Sequence, residues 1–149
     1  MASRYGLEIR AANVGDAAGL AELLRGAGPP IDAESLAERI EALRHGSGAA
    51  LVAVEWGPPS GLVVLHWYRS LSASLPTAQI TTLLVDPDAR RRGIGRLLLK
   101  AASQAARSAG CGEIQLLAGP EVADLQAFAA ATGFSDQGSV SVRPLRKKG

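Results

Sequence analysis

The stretch 83–99, LLVDPDARRRGIGRLLL, decides the fold because it joins the end of a predicted strand to the start of a predicted helix. An apolar run closes at Val85, and Asp86-Pro87 ends it. After Gly95 the sequence has the spacing of an amphipathic helix with one apolar face. The predicted buried stripe consists of Ile94, Leu98, Ala101, Ala102, Ala105 and Ala109. Three arginines and two glycines therefore stand at a strand-to-helix corner.

This corner suits a phosphate group. The start of a helix exposes unpaired N–H groups and carries about half a positive charge. Gly93 and Gly95 let an anion approach those groups, and Arg90-Arg91-Arg92 supply charged donors. The corner is not a dinucleotide-binding fingerprint, because Leu98 stands where the third glycine is needed. It is not a P-loop either, because the Gly-Lys-Ser/Thr ending is absent.

Composition predicts one globular domain over residues 1–149. The chain is 47% apolar and 20% charged, which is the balance of a folded protein. The net charge is only +2 although the pI is near 9.0, so a basic function must come from local clusters. A nucleic-acid-binding function built on Arg90–Arg92 and the basic tail is disfavoured, because both tryptophans lie in segments predicted to be apolar strands.

Cysteine and histidine counts bound the chemistry and the compartment. The single Cys111 excludes an internal disulfide and a multi-cysteine zinc site, and two scattered histidines predict no metal. A reducing, cytoplasmic setting is the expectation. The apolar run near Leu97–Leu99 is far too short to span a bilayer, and residues 1–10 lack an apolar signal core, so we predict no membrane partner.

Periodicity predicts the order β, α, α, β, β, β, α, β, α, β, β. The last four elements are a strand in GEIQLLA, a helix over 121–132 and a hairpin over 133–145. We found no repeat and no linker that would separate two domains. The prediction is an α/β (α+β) fold with a mixed, mostly antiparallel sheet and helices on both faces.

These motifs resemble the acetyl-CoA signature of the GCN5-related N-acetyltransferase (GNAT) family, Arg/Gln-x-x-Gly-x-Gly/Ala after a strand ending in Val-x-Pro. Arg90, Gly93 and Gly95 meet it, with Val85 and Pro87 upstream. LEIRAANVGDAAGLAELL resembles the family's first strand and helix, and FAAATGF the end of its last helix. The resemblance covers nearly the whole chain and points to the small-amine branch, which includes aminoalkylphosphonate and aminoglycoside acetyltransferases.

The resemblance implies a sheet that opens as a V between Leu83–Val85 and the strand near Ile114–Leu117. Acetyl-CoA, the acyl-donor substrate, would lie in this gap. Main-chain groups of Leu83, Leu84 and Val85 would pair with its pantetheine arm. The pyrophosphate would rest on the N–H groups of Arg91, Arg92, Gly93, Ile94, Gly95 and Arg96.

The expected catalytic side chains are absent. Where the family commonly has a tyrosine that protonates the departing thiolate, this chain has Ala129. Where it often has a carboxylate on the central strand, this chain has only Gln79, Thr81 and Thr82. The general acid and base are therefore left open by the motifs.

Ionisation energies show whether the missing acid or the missing base matters more for catalysis. A thiol with a pKa near 8.5 leaves as thiolate at a cost of roughly 2 kcal/mol at most. An alkylamine with a pKa of about 10.4 needs about 4.6 kcal/mol to lose its proton at pH 7, whereas an amine titrating near 8 needs only about 1.4 kcal/mol. We therefore predict a low-pKa acceptor, such as an α-amino group or an amino-sugar nitrogen.

Two side chains are candidate substitutes, both on the strand GLVVLHWYRS. His66 has a suitable ordinary pKa for a general base, and Tyr68 shares its face by strand alternation as a candidate acid. The alternatives are a structural histidine beside Trp67 and a tyrosine that only packs at the rim.

The leading interpretation is N-acetyl transfer to a small primary amine by direct attack in a ternary complex. The alternatives are a non-catalytic acyl-CoA-binding module and an acetyltransferase acting on a peptide or aminoacyl-tRNA amine. A homodimer is open, because dimers are common in the family and an edge strand offers a route.

Overall fold

Five strands form one sheet in the part of the chain that the structure describes, residues 6–89, 93–117, 128–135, 138 and 140–146. The structure is a computed structural model. The main elements are β1 (Glu8–Ala11), α1 (Ala17–Arg25), α2 (Ala33–Arg44), β2 (Gly48–Val54), β3 (Gly61–Tyr68), β4 (Thr77–Val85), α3 (Ile94–Ser108) and β5 (Glu113–Leu116). Short 3-10 turns cover Val14–Asp16 and Pro87–Ala89. All of these elements belong to one compact unit, Met1–Leu117, and Ala118–Gly149 form a second.

The strands lie side by side in chain order. The pairs β1/β2, β2/β3 and β3/β4 are antiparallel, and β4/β5 is parallel. A parallel pair needs a crossover connection, which α3 supplies. The predicted mixed, mostly antiparallel sheet is confirmed.

Helices cover both faces of the sheet. Val52 and Leu62 form a buried cluster with side chains of α1 and α2. Gly61, the next residue along β3 from Leu62, points to the other face: a Cβ there would lie 2.9 Å from Leu98 Cδ1 and 3.1 Å from Ile94 Cγ2. The missing side chain at Gly61 lets α3 pack closely on that face, so the predicted arrangement of layers is confirmed.

The buried stripe of α3 is rotated from the predicted one. Ile94, Leu98 and Ala102 are buried as predicted, together with Leu99 and Ala106. The predicted alanines 101, 105 and 109 are only half-buried. A helix that packs on a broad sheet face buries a wide stripe of side chains. The residues at i, i+4 and i+5 that face the sheet are therefore buried, whereas the predicted row of alanines lies at the side of the helix.

An ion pair fixes the first strand to the turn that follows it. The Arg10 guanidinium donates to both carboxylate oxygens of Asp16, at 2.8 and 2.9 Å. The Asn13 N–H also donates to Asp16, and the Gly15 N–H donates to the Asn13 side chain, which completes a capping box. Asp16 is buried, so these bonds replace the water that the carboxylate loses.

The second unit contains a helical stretch at residues 128–131. It ends at Gly133, whose φ is +97°, with the Phe134 N–H donating to the Ala129 carbonyl at 2.9 Å. This is the helix end that the glycine in FAAATGF predicts. The predicted hairpin over 133–145 is not found: its described residues form no strand, and 136, 137 and 139 lie outside the described residues.

Removing the charge of Asp16 should destabilise the fold in a pH-dependent way. The Arg10 bond, followed by the Asn13 bond, holds the pKa of Asp16 below its ordinary value against the opposing effect of burial. Stability from the pair is therefore present above the ordinary pKa near 3.8 and is lost as the pH falls through the lower folded-state value. We expect Asp16→Asn to lower the free energy of unfolding by about 1–3 kcal/mol at pH 7.

Urea unfolding of wild type and Asp16→Asn between pH 7 and pH 3 measures this difference. The two free energies should converge as the pH falls below about 4. Glu22→Gln is the matched control, since Glu22 forms an exposed pair with Arg25 at 3.2 Å and should change stability by less than about 1 kcal/mol. A difference that does not depend on pH would contradict the assigned role of the Asp16 charge.

Candidate active site

Strand β4 runs past the end of β5. The last aligned pair is Ile80 with Leu116, after which the Leu117 N–H donates to the Ile80 carbonyl at 3.1 Å. β4 continues as far as Val85. Among the described residues, Thr82–Val85 are therefore paired with β3 alone. We call the other side of this segment, with which no described residue pairs, the open side of β4.

Main-chain groups line the open side of β4. The Asp86 N–H donates to the Ser60 carbonyl at 2.8 Å, so this pair of residues is hydrogen-bonded. Hydrogen-bonded and non-hydrogen-bonded pairs alternate along antiparallel strands. The main-chain groups of Leu84 consequently face β3, whereas those of Leu83 and Val85 face the opening. Of the three predicted pantetheine-binding residues, the geometry directs two toward the gap.

The start of α3 is open to an anion. Gly93 precedes it with a φ of +77° and has no side chain with which to cap the helix, and the first turn of α3 has no acidic residue. A Cβ at Gly93 would meet no heavy atom within 4 Å. Helix α2, in contrast, is capped by Asp32, which accepts from the Ser35 N–H at 2.8 Å. The first N–H groups of α3 have no acceptor inside the helix, so an external anion suits them.

The other predicted phosphate-binding residues fall into two groups. Ile94 is buried under the sheet, Gly95 is half-buried and Arg96 is exposed. Arg90, Arg91 and Arg92 lie outside the described residues. The structure therefore describes the helix start itself and not the arginine side chains before it.

A β-bulge interrupts β4 just before the opening. Val64 of β3 aligns with Thr82, but the next residue, Leu65, aligns with Ile80. Thr81 is the extra residue, and a bulge of this kind reorients neighbouring side chains. Both threonines line the same cavity on the face covered by α1 and α2.

This cavity, of about 580 Å³, lies between α1, α2 and the sheet. Most of its described lining is apolar, with leucine and isoleucine side chains from both helices, from the loop between them and from β3: Leu20, Leu24, Ile31, Leu36, Ile40 and Leu62. Its polar lining consists of Arg39, Ser47, His66, Thr81 and Thr82. The volume is typical of sites for small molecules.

His66 and Tyr68 lie at different distances from the opening. His66 lines the cavity, and it aligns with Gln79 two residues before Thr81. Tyr68 shares the face of His66 but aligns with Thr77, at the other end of β4. Tyr68 is 45% exposed and is not among the described residues that line the cavity. The structure brings His66, but not Tyr68, to the cavity wall.

A chain of amide hydrogen bonds crosses from β4 to β5. Gln79 Nε2 donates to Gln115 Oε1 at 3.0 Å, and Gln115 Nε2 donates to Glu113 Oε2 at 3.0 Å. Because a carboxylate only accepts, Glu113 fixes the orientation of both amides. Gln79 therefore has a structural partner, and its amide cannot serve as a base at neutral pH. The sequence has no local signal for this chain of hydrogen bonds, since only the parallel register shows that Gln79 and Gln115 are neighbours.

Cys111 does not have the properties of a nucleophile. It is half-buried, and burial raises the pKa of its thiol above the ordinary value. A raised pKa leaves little thiolate at neutral pH. Among the described residues, no three His, Cys, Asp or Glu side chains cluster closely enough to hold a metal. No helix of the described ranges has the length and apolarity needed to cross a bilayer.

Comparison with known proteins identifies the family. The model of the acetyltransferase (GNAT) family matches residues 18–134. A curated relative, the aminoglycoside N(6')-acetyltransferase type 1 of Stenotrophomonas maltophilia, is 34% identical over 134 residues, which cover 86% of each chain. The chain belongs to the acetyltransferase (GNAT) family. The predictions of the family and of acetyl transfer from acetyl-CoA to an amine are confirmed.

Solved structures share the fold of this GNAT chain. A Trypanosoma brucei acetyltransferase superposes with a TM-score of 0.81 at 23% identity, covering 93% of this chain and 99% of the other. Aminoglycoside N-acetyltransferase AAC(6')-Iy, solved in complex with CoA, has a TM-score of 0.81 at 21% identity, covering 95% of each chain. At these identities the likeness confirms the fold class.

Proposed function

We propose that this GNAT chain acetylates a primary amine of a small molecule by direct attack on acetyl-CoA within a ternary complex. The observation that carries the proposal is the open side of β4 beside an uncapped helix start. The main-chain groups of Leu83 and Val85 suit the amides of a pantetheine arm. The N–H groups at the start of α3, with Arg90–Arg92, suit the diphosphate.

The acceptor occupies the cavity under α1 and α2 in this proposal. The cavity meets β4 at Thr81 and Thr82, directly before Leu83. A thioester held along Leu83–Val85 is thus next to the cavity wall that carries both hydroxyl groups. A single wall shared by the two substrates supports direct transfer, and the raised pKa of Cys111 gives no support to an acetyl-cysteine intermediate.

The reaction forms one C–N bond and breaks one C–S bond. The amine must first lose a proton, and we propose that His66 accepts it, directly or through one water. The neutral nitrogen then attacks the acetyl carbonyl, gives up a second proton to water to become the amide nitrogen, and coenzyme A leaves as a thiolate. Water can protonate the thiolate at a cost of about 2 kcal/mol at most. Tyr68 is the candidate acid for that last step, but it aligns with the far end of β4.

We also propose that residues 1–149 act as one catalytic domain. The family match runs from 18 to 134 and crosses the boundary between the two compact units, which supports the proposal. A cytoplasmic setting and a homodimer stay predictions from the sequence. A peptide or aminoacyl-tRNA amine is the alternative acceptor, and a non-catalytic acyl-CoA-binding module would protect acetyl-CoA without releasing its thiol.

Substitution of Gly93 should weaken coenzyme binding more than it weakens the fold. Gly93 precedes α3 and Gly110 follows it, both at positive φ and both with open space for a Cβ. We expect either alanine variant to lose about 1–2 kcal/mol of stability through left-handed strain. Only Gly93→Ala should also lose affinity for acetyl-CoA, by about tenfold or more, because its methyl group lies at the proposed diphosphate site.

Titration calorimetry with acetyl-CoA, below the unfolding temperature of both variants, measures that difference. Gly110→Ala is the matched control for strain. Equal affinity losses in the two variants would mean that Gly93 acts through stability alone, and the diphosphate assignment would fail.

The acceptor preference should follow the ionisation of the amine. At pH 7 the difference between 4.6 and 1.4 kcal/mol corresponds to a roughly 200-fold larger neutral fraction for an amine titrating near 8 than for one near 10.4. We expect kcat/KM to favour leucinamide over isopentylamine by about two orders of magnitude. Thiol release measured at saturating acetyl-CoA gives the ratio, and a preference for the alkylamine would contradict the prediction.

Loss of His66 should be compensated by high pH. General-base catalysis contributes about 10²–10⁴-fold, so His66→Ala should lower kcat/KM at pH 7 within that range. Activity should return as the pH approaches the pKa of the amine, where no base is needed. Tyr68→Phe is measured in parallel, and its kcat/KM should fall by no more than about 30-fold, the equivalent of 2 kcal/mol. A His66→Ala profile parallel to that of wild type would exclude His66 as the base.

A further inference from the structure

We propose that the acceptor has an apolar body and one acidic group, and that Arg39 binds the acidic group at the rim of the cavity. This inference rests on the proposed acetyl transfer and specifies its substrate class. It follows from the uneven lining of the cavity, which combines a large apolar surface with a single permanent charge among the described residues.

The apolar surface comes from two helices and the sheet. Leu20 and Leu24 of α1, Leu36 and Ile40 of α2, and Leu62 of β3 all contribute. Filling such a wall with apolar groups gains about 25 cal/mol per Å² removed from water. A volume of about 580 Å³ suits a body the size of one or two amino-acid residues. A fully polar acceptor would leave this surface without an apolar partner.

The position of Arg39 on α2 explains its access to both the cavity and solvent. It lies three residues after Leu36 and four before Leu43, so it shares their face of the helix. It is an exposed residue that also lines the cavity. An arginine in this position packs its stem along the apolar wall and keeps its guanidinium at the water-filled rim.

The ion pairs of the described residues do not include Arg39. Arg10 pairs with Asp16, Arg25 with Glu22, and Arg44 with Glu41. Asp32 is nearby, and its pKa is lowered first by the bonds from Ser35 and only last by the charge of Arg39. Both Asp32 oxygens accept from Ser35, at 2.8 and 3.1 Å. The planar donor fork of Arg39 is therefore suited to an incoming carboxylate or phosphonate.

The same lining disfavours a polycation. A compound with several amino groups would bring its additional ammonium groups toward Arg39, and no described lining residue has a carboxylate. Like charges at a contact are costly and exclude wrong partners. The acceptor class of this chain therefore differs from an aminoglycoside, the substrate in the name of its curated relative.

The walls also give the acceptor a direction. Thr81, Thr82 and His66 lie on the sheet, whereas Arg39 lies on the helix that covers it. The amino group points to the sheet, where the thioester is proposed to lie, and the acidic group points to the α2 rim. The reacting nitrogen and the acidic group are thus at opposite ends of the molecule.

Matched pairs of dipeptides test the proposal with the full chain. Leucylglycine and leucyl-γ-aminobutyrate place a carboxylate at two distances from the amine, and their amides lack only the charge. All four have an α-amino group with a pKa near 8, so the ionisation of the amine does not differ. We expect at least one acid to exceed its amide about tenfold in kcat/KM, mainly through a lower KM.

Variants assign that preference to Arg39. Arg39→Gln should abolish the difference between acid and amide, and Arg39→Lys should restore part of it, since the positive charge remains but the fork is lost. Arg25→Gln is the matched control: Arg25 is an exposed arginine of α1 outside the described lining, and its loss should leave the preference unchanged.

Three outcomes would overturn the proposal, and they can be told apart. Equal kcat/KM for acids and amides would exclude recognition of an acidic group but would leave the proposed acetyl transfer intact. A higher kcat/KM for the polyamine neamine than for every dipeptide would mean that the acceptor is a polycation and not an apolar molecule with one acidic group. If acetyl-CoA binds but none of the tested amines causes thiol release, both this proposal and the proposed function would be overturned.

Discussion

The rest of the structure depends on the unequal pairing of β4 with its two neighbours. On one side β4 aligns with β3 from Thr77 to Val85, and on the other the described pairing with β5 stops at Ile80. Main-chain polar groups need hydrogen-bonding partners wherever water is excluded. No described residue pairs with the second side of Leu83–Val85. The pantetheine arm that we propose to lie there has amides of its own, which suit these main-chain groups without any specific side chain.

The crossover between β4 and β5 places the start of α3, the proposed anion site, near the end of β4. Because β4 and β5 are parallel, the chain must cross over through α3, and α3 must begin near the end of β4. Gly61 lets Ile94 and Leu98 pack closely on β3, which fixes the height of that helix over the sheet. The described part of the proposed donor site therefore consists of glycines and main-chain groups, to which Arg90–Arg92 would add charged donors.

The sequence predicted the elements around the proposed donor site better than those around the proposed acceptor cavity. The strand ending at Val85 and the helix after Gly93 have strong local signals, and both are found in the structure. The bulge at Thr81 has no local signal, because only the register with β3 reveals the extra residue. Arg39 looks like an ordinary surface arginine until the cavity beside it is known. No described residue of the predicted hairpin forms a strand. Alternation in a polar, glycine-containing segment is weak support for strand pairing.

The bulge also determines how β4 can change its length. Ile80 and Leu83 align with Leu65 and Val63, two residues on the same face of β3, although an odd number of positions separates them in the chain. Deleting either threonine would remove the bulge and restore regular alternation, while Leu83–Val85 would keep their partners on β3. The side chains of these residues would stay on their present faces, but the local reorientation that the bulge gives β4 before the opening would be lost. This strand can therefore lose one residue without exchanging its two faces, at the cost of the geometry beside the cavity.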